Sequence, residues 1–155
     1  MGIEEVLNVH THWLIDTAPI IYYIEEHPKY LPLVDQIFPR LSNAGITIYA
    51  FSSVLALTEL LPHPLRQNNQ DLANRYRNFL LHSRNFVLLP IDEIIAEQAA
   101  EIRARYQYRT PDAIQLATAI THNATLFITN DKRPKNFPDL TILVLEDYLS
   151  QTPTQ

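Results

Sequence analysis

The chain has 155 residues, 46% of them apolar, which suits a single domain with a substantial core. It contains no cysteine, which excludes a disulfide framework and any thiolate metal site and fits a reducing compartment. The net charge of −5 argues against binding nucleic acid through a broad basic surface, although an acidic cation site would contribute to the same charge. No apolar run approaches the roughly 18 residues of a membrane span, and no signal-peptide pattern is present, so we expect a cytoplasmic protein without membrane contact.

The first third of the chain predicts one strand, two helices and a second strand. Residues 1–12 lack periodicity and are predicted to be a loose N-terminal extension. The apolar residues 13–15, followed by Asp16, indicate a first strand. Thr17 is predicted to cap a helix that ends near Glu26, and a second helix is predicted from Pro28 to Ser42. The β-branched residues 46–50 predict the second strand.

The rest of the chain continues the alternation of helices and strands. The predicted elements are a short helix capped by Ser52 or Ser53 and broken by Pro62 and Pro64, a polar helix (65–82), a strand (86–89), a helix from Asp92 to Tyr106, a helix from Thr110 to Asn123, a strand (125–129) and a last strand (141–144). Short, continuously apolar strands that alternate with helices predict a parallel sheet covered on both faces. We expect one α/β domain over residues 13–150 and a short C-terminal tail over residues 151–155.

The prediction of function starts from residues 110–131, which contain two candidate functional acids, Asp112 and Asp131. Thr110 is a candidate N-cap, and Asp112 lies in the first helical turn, where the helix dipole favours a negative charge. The helix is apolar around most of its circumference and is followed by a short buried strand. The end of that strand delivers Asp131 to the carboxyl edge of the sheet, where open α/β folds bind their ligands.

Four carboxylates are predicted near this edge. Asp16, Asp112 and Asp131 converge because strand ends and the helix starts that follow them share one edge of a parallel sheet. Glu59 lies about two turns into its helix and reaches the edge only if that helix leans inward. Carboxylates about 4 Å apart repel by about 4 kcal/mol per pair at an effective dielectric near 20, so the cluster requires bound cations or protonation. Taken singly, each acid also has a structural explanation as a capping or turn residue.

Carboxylate oxygens, without cysteine or paired histidines, favour Mg²⁺ or Mn²⁺ over Zn²⁺. One or two such ions can activate a water molecule and stabilise the attacking and leaving oxygens of a phosphodiester, which requires no protein nucleophile. Thr17, Thr129 and Asn130 are candidates for holding a carboxylate or a water molecule by hydrogen bonds. Capping and turn roles explain Thr17 and Asn130 equally well.

Four segments resemble the successive motifs of PIN-domain ribonucleases, with the closest likeness to the VapC-type toxins of toxin–antitoxin pairs. They are L-I-D-T-A-P-I-I-Y-Y-I-E, S-S-V-L-A-L-T-E-L, R-T-P-D-A-I-Q-L-A-T-A and L-F-I-T-N-D. The resemblance covers residues 13–148 with order and spacing preserved. No single motif is specific, but four in order are strong evidence.

The resemblance implies a PIN-like three-layer fold with about five parallel strands. It assigns the catalytic and metal-binding acids to Asp16, Glu59, Asp112 and Asp131. It also implies endonucleolytic cleavage of RNA with one or two Mg²⁺ or Mn²⁺ ions, a homodimer, and inhibition by a small antitoxin that blocks the acidic site. The chain departs from many relatives at Ala18-Pro19, which is physically benign at a helix start.

Basic residues after the last acid are candidates for contact with RNA phosphates: Lys132, Arg133 and Lys135. Two alternatives to a nuclease remain open. One is a catalytically inert PIN-like module that binds RNA or protein, which the loss of an acid would favour. The other is a phosphatase with an aspartyl nucleophile, which usually carries a second Asp two residues after the first, where this chain has Ala18.

Overall fold

Five parallel strands form one sheet in the order β3-β2-β1-β4-β5. The computed structural model describes residues 1–151, so residues 152–155 of the predicted tail lie outside the described part. The strands are β1 (His12–Ile15), β2 (Tyr49–Ser53), β3 (Phe86–Leu89), β4 (Leu126–Thr129) and β5 (Thr141–Val144). The α-helices are α1 (Ile3–Asn8), α2 (Thr17–Ile24), α3 (Leu31–Ile37), α4 (Leu55–Leu60), α5 (Pro62–Arg66), α6 (Gln70–His82), α7 (Glu93–Tyr106) and α8 (Thr110–Thr121). Two 3₁₀ helices span Phe38–Ser42 and Leu145–Gln151.

Helices cover both faces of the sheet, which gives two hydrophobic cores. Successive strand residues point to opposite faces, so Trp13 and Ile15 of β1 enter one core and Leu14 enters the other. The first core contains residues of α1 to α4 and α6, whereas the second contains residues of α7 and α8. The predicted three-layer α/β fold with a parallel five-stranded sheet is therefore confirmed.

The order of the strands creates a crevice between β1 and β4. From β1 the chain proceeds to β2 and β3 on one side, and it then crosses to β4 and β5 on the other side. Both β1–β2 and β1–β4 are parallel pairs, and the backbone N–H of Asp16 continues the second pairing by donating to the carbonyl of Ile128 at 2.9 Å. Ligands of open parallel sheets bind at such a switch point, outside the carboxyl ends of the strands.

The first residues of the chain are part of the fold, and the expectation that they form a loose extension is wrong. Helix α1 buries Ile3, Val6 and Leu7 in the first core, and Leu7 is only 1% exposed. The indole N–H of Trp13 donates to the carbonyl of His10 at 2.9 Å and fixes the connection from α1 to β1. A helix of six residues gives little periodic signal, and its burial is decided by distant contacts.

The second strand begins three residues later than predicted, at Tyr49 rather than Ile46. Ser52 and Ser53, predicted as helix caps, are completely buried inside this strand. The Ser53 hydroxyl still accepts a hydrogen bond from the N–H of Leu55 at 3.2 Å, so it also marks the start of the following helix.

Several helices begin or end at residues other than those predicted. Asp16, not Thr17, is the N-cap of α2, and Arg109, not Thr110, is the N-cap of α8. The predicted helix of residues 28–42 is shorter and ends as a 3₁₀ helix. The helix before Pro62 ends at Leu60, as predicted, and Pro62 then begins α5, which also contains Pro64. Proline suits the first turn of a helix because the N–H that it lacks has no helical partner there.

Candidate active site

All four predicted acids line one cleft of about 330 Å³ at the crevice between β1 and β4. Asp16 follows β1 directly, and Asp131 lies two residues beyond β4. Asp112 is in the first turn of α8, and Glu59 faces the same cleft from α4. Residues that are distant in sequence therefore meet because the topology brings these strand ends and helices to one edge.

Threonine hydroxyls connect the acids around Asp16. The Oδ2 atom of Asp16 accepts a hydrogen bond from the Thr129 hydroxyl at 2.8 Å, and the Oδ1 atom of Asp16 accepts one from the backbone N–H of Thr17 at 2.8 Å. The same Thr129 oxygen accepts the backbone N–H of Asp131 at 3.0 Å. Thr129 is completely buried, so it holds the ends of β1 and β4 in a fixed relation.

Glu59 is connected to this group through Thr17. The Thr17 hydroxyl donates to Oε2 of Glu59 at 2.9 Å, while the Thr17 backbone bonds to Asp16. Helix α4 thus leans close enough for its glutamate to reach the sheet edge, which the sequence left open.

Arg133 occupies the other side of the cleft. The carboxylate of Asp131 accepts the Arg133 backbone N–H at 2.9 Å and the guanidinium Nε at 3.0 Å on Oδ1 and 2.7 Å on Oδ2. The Nη1 of Arg133 also lies 3.6 Å from Oδ2 of Asp112. Arg109 is the second cation at the cleft, with its Nε 3.8 Å from the same oxygen and its side chain 71% exposed.

Burial and the unequal distribution of positive charge together decide the pKa shifts of the four acids. Burial raises the pKa of three acids, and the charges of neighbouring carboxylates add to the rise; these acids are Asp16, Glu59 and Asp112. Burial also acts to raise the pKa of Asp131, but the hydrogen bonds from Arg133 outweigh it and bring this pKa below its ordinary value. Negative charge in the cleft is therefore compensated at Asp131 and poorly compensated at Asp16.

Asn130 supports the site from outside the cleft. Its Oδ1 accepts the backbone N–H of Glu146 at 2.8 Å, and its Nδ2 donates to the Tyr22 hydroxyl at 3.0 Å. The Tyr22 ring stacks on Tyr30 with centroids 4.3 Å apart. These contacts tie the end of β4 to α2 and to the segment after β5, next to Asp131.

The three basic residues predicted to contact RNA have different surroundings. Arg133 is bonded to Asp131, and the Nζ of Lys135 lies 2.7 Å from Oδ2 of Asp147. Lys132 is exposed. Their role in binding RNA stays a prediction.

Sequence reasoning missed one buried polar residue that lines the cleft, Gln115 of α8. Its Oε1 accepts the backbone N–H of Ser53 at 3.2 Å, and its Nε2 donates to the Ser52 hydroxyl at 3.1 Å. This amide joins the helix that carries Asp112 to the end of β2. The available signal was a glutamine between the apolar residues Ile114 and Leu116.

The four acids that line the cleft fit a divalent cation in the chemistry of their oxygen ligands. Carboxylate oxygens are the ligands that Mg²⁺ and Mn²⁺ prefer. A bound cation would also relieve the repulsion from Asp112 and Asp131, which adds to the effect of burial in raising the pKa of Asp16. In the arrangement of residues 1–151, no group of three or more Asp, Glu or His side chains is close enough to hold a metal ion. Both oxygens of Asp131 are bonded to Arg133 instead.

The fold and the cleft define a three-layer α/β domain with carboxylates gathered at a topological switch point. The family model of the PIN domain matches residues 13–140, and the chain belongs to this family. The family resemblance found in the sequence is thereby confirmed. No curated protein shows significant sequence similarity to the chain. No helix within residues 1–151 is long and apolar enough to cross a membrane.

Solved structures of toxin–antitoxin systems share the fold. VapBC2 from Rickettsia felis, bound to a DNA fragment from its promoter, superposes with a TM-score of 0.66 at 19% identity, covering 84% of this chain and 96% of that chain. A toxin–antitoxin complex from Klebsiella pneumoniae gives 0.62 at 21% identity, with coverages of 85% and 96%. VapBC-5 from Mycobacterium tuberculosis gives 0.57 at 19% identity, with coverages of 86% and 98%. At these identities the likeness establishes the fold.

Proposed function

We propose that the protein is a divalent-metal-dependent endoribonuclease, the toxin of a toxin–antitoxin pair. The observation that carries this proposal is the meeting of Asp16, Glu59, Asp112 and Asp131 in one cleft at the carboxyl ends of β1 and β4. Membership of the PIN family and the likeness to VapBC structures support it. RNA is the proposed substrate because the sequence motifs resemble those of PIN-domain ribonucleases.

The four acids are the proposed ligands and acid–base groups. One or two Mg²⁺ or Mn²⁺ ions would neutralise the carboxylates, activate a water molecule and stabilise charge on the phosphodiester oxygens. Thr129 and the Thr17 backbone orient Asp16, and the Thr17 hydroxyl orients Glu59. Fixed orientation matters because ligands held by hydrogen bonds keep the geometry of a site.

Cations at the cleft are the proposed contacts for RNA phosphates. Arg109 lines the cleft with an exposed guanidinium, and Lys132 is exposed next to Asp131. Arg133 and Lys135 remain candidates that must first leave Asp131 and Asp147. The net charge of −5 makes a local contact near the cleft more consistent than a broad basic surface.

An antitoxin, a homodimer and a cytoplasmic location complete the proposal. The structures from Klebsiella pneumoniae and Rickettsia felis are toxin–antitoxin complexes, which supports a small protein partner for this chain. Such a partner is proposed to block the acidic cleft. The homodimer and the location rest on the resemblance to VapC-type toxins.

One observation favours the alternative of an inert PIN-like module that binds RNA or protein. Arg133 satisfies both oxygens of Asp131 and approaches Asp112, so two of the four acids have a positively charged partner within the chain. Arg133 thus supplies part of the charge compensation that a bound metal ion would otherwise supply.

The test is cleavage of a mixed RNA pool that includes transfer RNA, with Mn²⁺ or Mg²⁺ present. The wild type is compared with Asp112→Asn and with Asp35→Asn, which makes the same chemical change at an exposed site on α3. We expect metal-dependent cleavage by the wild type and Asp35→Asn, and none by Asp112→Asn. Equal cleavage by all three proteins would contradict the site.

If no protein cleaves the pool, thermal stability with and without Mn²⁺ distinguishes a nuclease with a narrow target from an inert module. A nuclease with a narrow target that leaves the pool uncut would still be stabilised by Mn²⁺, and Asp112→Asn would not. A protein that neither cleaves RNA nor responds to Mn²⁺ would support the inert module.

A further inference from the structure

We propose that Arg133 is an internal cation of the cleft, which competes with a divalent metal ion for Asp131 and Asp112 and thereby sets the affinity of the site for metal. This inference rests on the proposed function because it assumes that the carboxylates bind a metal ion.

The first observation is that Arg133 uses the positions on Asp131 that a metal ion would need. A carboxylate offers about four lone-pair positions. The Arg133 backbone N–H and Nε reach Oδ1, and Nε also reaches Oδ2, where Nη2 forms an ion pair. A metal ion can bind Asp131 only after at least one side-chain contact is released.

The second observation is that the same guanidinium connects two of the proposed ligands. Its Nη1 lies 3.6 Å from Oδ2 of Asp112, so the positive charge stands between the acid after β4 and the acid at the start of α8. A cation at this place lowers the repulsion between Asp112 and Asp131 without any metal. It also reduces the attraction of the cleft for a second positive charge.

The third observation is that the side chain of Arg133 can move away from Asp131 into solvent. Its side chain is 48% exposed, and its contacts with the cleft come from the guanidinium and one backbone N–H. The turn made by the backbone N–H and Oδ1 of Asp131 is local and can persist when the side chain rotates into solvent. Exchange of the guanidinium for a metal ion therefore needs no rearrangement of β4 or α8.

The experiment measures Mn²⁺ binding by calorimetry to the full chain, for the wild type, Arg133→Gln and Lys135→Gln. The control removes one positive charge from the same segment, but Lys135 pairs with Asp147 and does not line the cleft. We expect Arg133→Gln to bind Mn²⁺ about twofold to fivefold more tightly, the range that corresponds to a partly exposed ion pair. Lys135→Gln should bind with the affinity of the wild type.

A second variant, Arg133→Lys, keeps the charge and loses the forked hydrogen bonds. It should bind Mn²⁺ with intermediate affinity, and it keeps the inference testable if Arg133→Gln does not fold. Unchanged or weaker binding by Arg133→Gln would overturn the role of Arg133 and leave the proposed nuclease intact. Absence of Mn²⁺ binding by every protein, including the wild type, would overturn both.

Discussion

The hydroxyl of Thr17 donates a hydrogen bond to Glu59 at 2.9 Å across 42 positions of the chain. The backbone N–H of the same residue donates to Asp16 at 2.8 Å. One residue therefore positions two acids of the cleft, one directly after β1 and one on α4. Because Glu59 lies on a helix rather than at a strand end, this contact fixes its carboxylate at the sheet edge.

Loss of the Thr17 hydroxyl should weaken cleavage more than it weakens folding. In Thr17→Val the backbone contact to Asp16 remains, but Glu59 loses its donor, so we expect metal-dependent cleavage to fall by about tenfold to a hundredfold. Thr17→Ser should retain most activity. Thr58→Val is a matched control, because the Thr58 hydroxyl bonds to the carbonyl of Leu55 within its own helix. Equal losses in Thr17→Val and Thr58→Val would refute the positioning role.

The raised pKa of Asp16 predicts how stability changes with pH in the absence of metal. Burial is the main cause of the rise. A carboxyl with a raised folded-state pKa stabilises the fold fully below its unfolded-state pKa of about 4 and loses this effect as the pH rises through the folded-state value. Asp16→Asn should therefore gain stability relative to the wild type as the pH rises above about 4, in chemical denaturation with a chelator present.

Asp131 is expected to change the stability of the fold with pH in the opposite direction from Asp16, in the same experiment. Its pKa is lowered by Arg133 despite burial, so its ionised form stabilises the fold above the unfolded-state pKa, and this effect is lost as the pH falls through the folded-state value. Asp131→Asn should lose stability relative to the wild type toward neutral pH. Differences that stay flat with pH in both variants would contradict the charge distribution described for the cleft.

The sequence predicted the convergence of the acids better than the limits of the elements. The apolar helix that begins near Asp112 and the buried strand before Asp131 have strong patterns, and parallel topology then brings their ends together. The end of β2 was placed too early because Ser52 and Ser53 resemble capping residues, and their partner on α8 lies 62 or more positions away.

The sequence did not predict which charged side chains pair with each other where several of them lie close together. Arg133 was predicted to face RNA, since basic residues after the last acid suggest phosphate contacts. In the structure the turn at Asp131 folds the guanidinium back onto the carboxylate, and a contact of Arg133 with RNA stays a prediction. Whether the guanidinium binds a carboxylate of the protein or a phosphate of RNA depends on local geometry, which residue types and spacing do not specify.

Gln115 should contribute to stability because it satisfies buried groups of β2. In Gln115→Leu the Ser53 N–H and the Ser52 hydroxyl lose their partner in a completely buried region. We expect a loss of about 1–3 kcal/mol in the free energy of unfolding, measured in urea. Gln70→Leu, at an exposed position of α6, should change stability little. A loss no larger than that of Gln70→Leu would show that water or other groups replace the amide.

Arg109 should contribute to substrate binding rather than to the chemical step. Its guanidinium is 71% exposed at the cleft, and its separation of 3.8 Å from Asp112 leaves most of its donors available to a phosphate. In Arg109→Gln we expect KM for RNA to rise by up to about tenfold with kcat nearly unchanged, and the salt dependence of binding to weaken by the equivalent of about one phosphate contact.

The matched control is Arg105→Gln, which removes the same charge from an exposed position on α7 outside the cleft. If Arg109 acts through the general field of the protein, both variants will raise KM alike, because long-range effects depend on charge and little on position. If Arg109 contacts a phosphate next to the scissile bond, only its replacement will change both KM and the salt dependence. A fall in kcat with unchanged KM in Arg109→Gln would instead place Arg109 in the chemical step, acting on charge that develops only in the transition state.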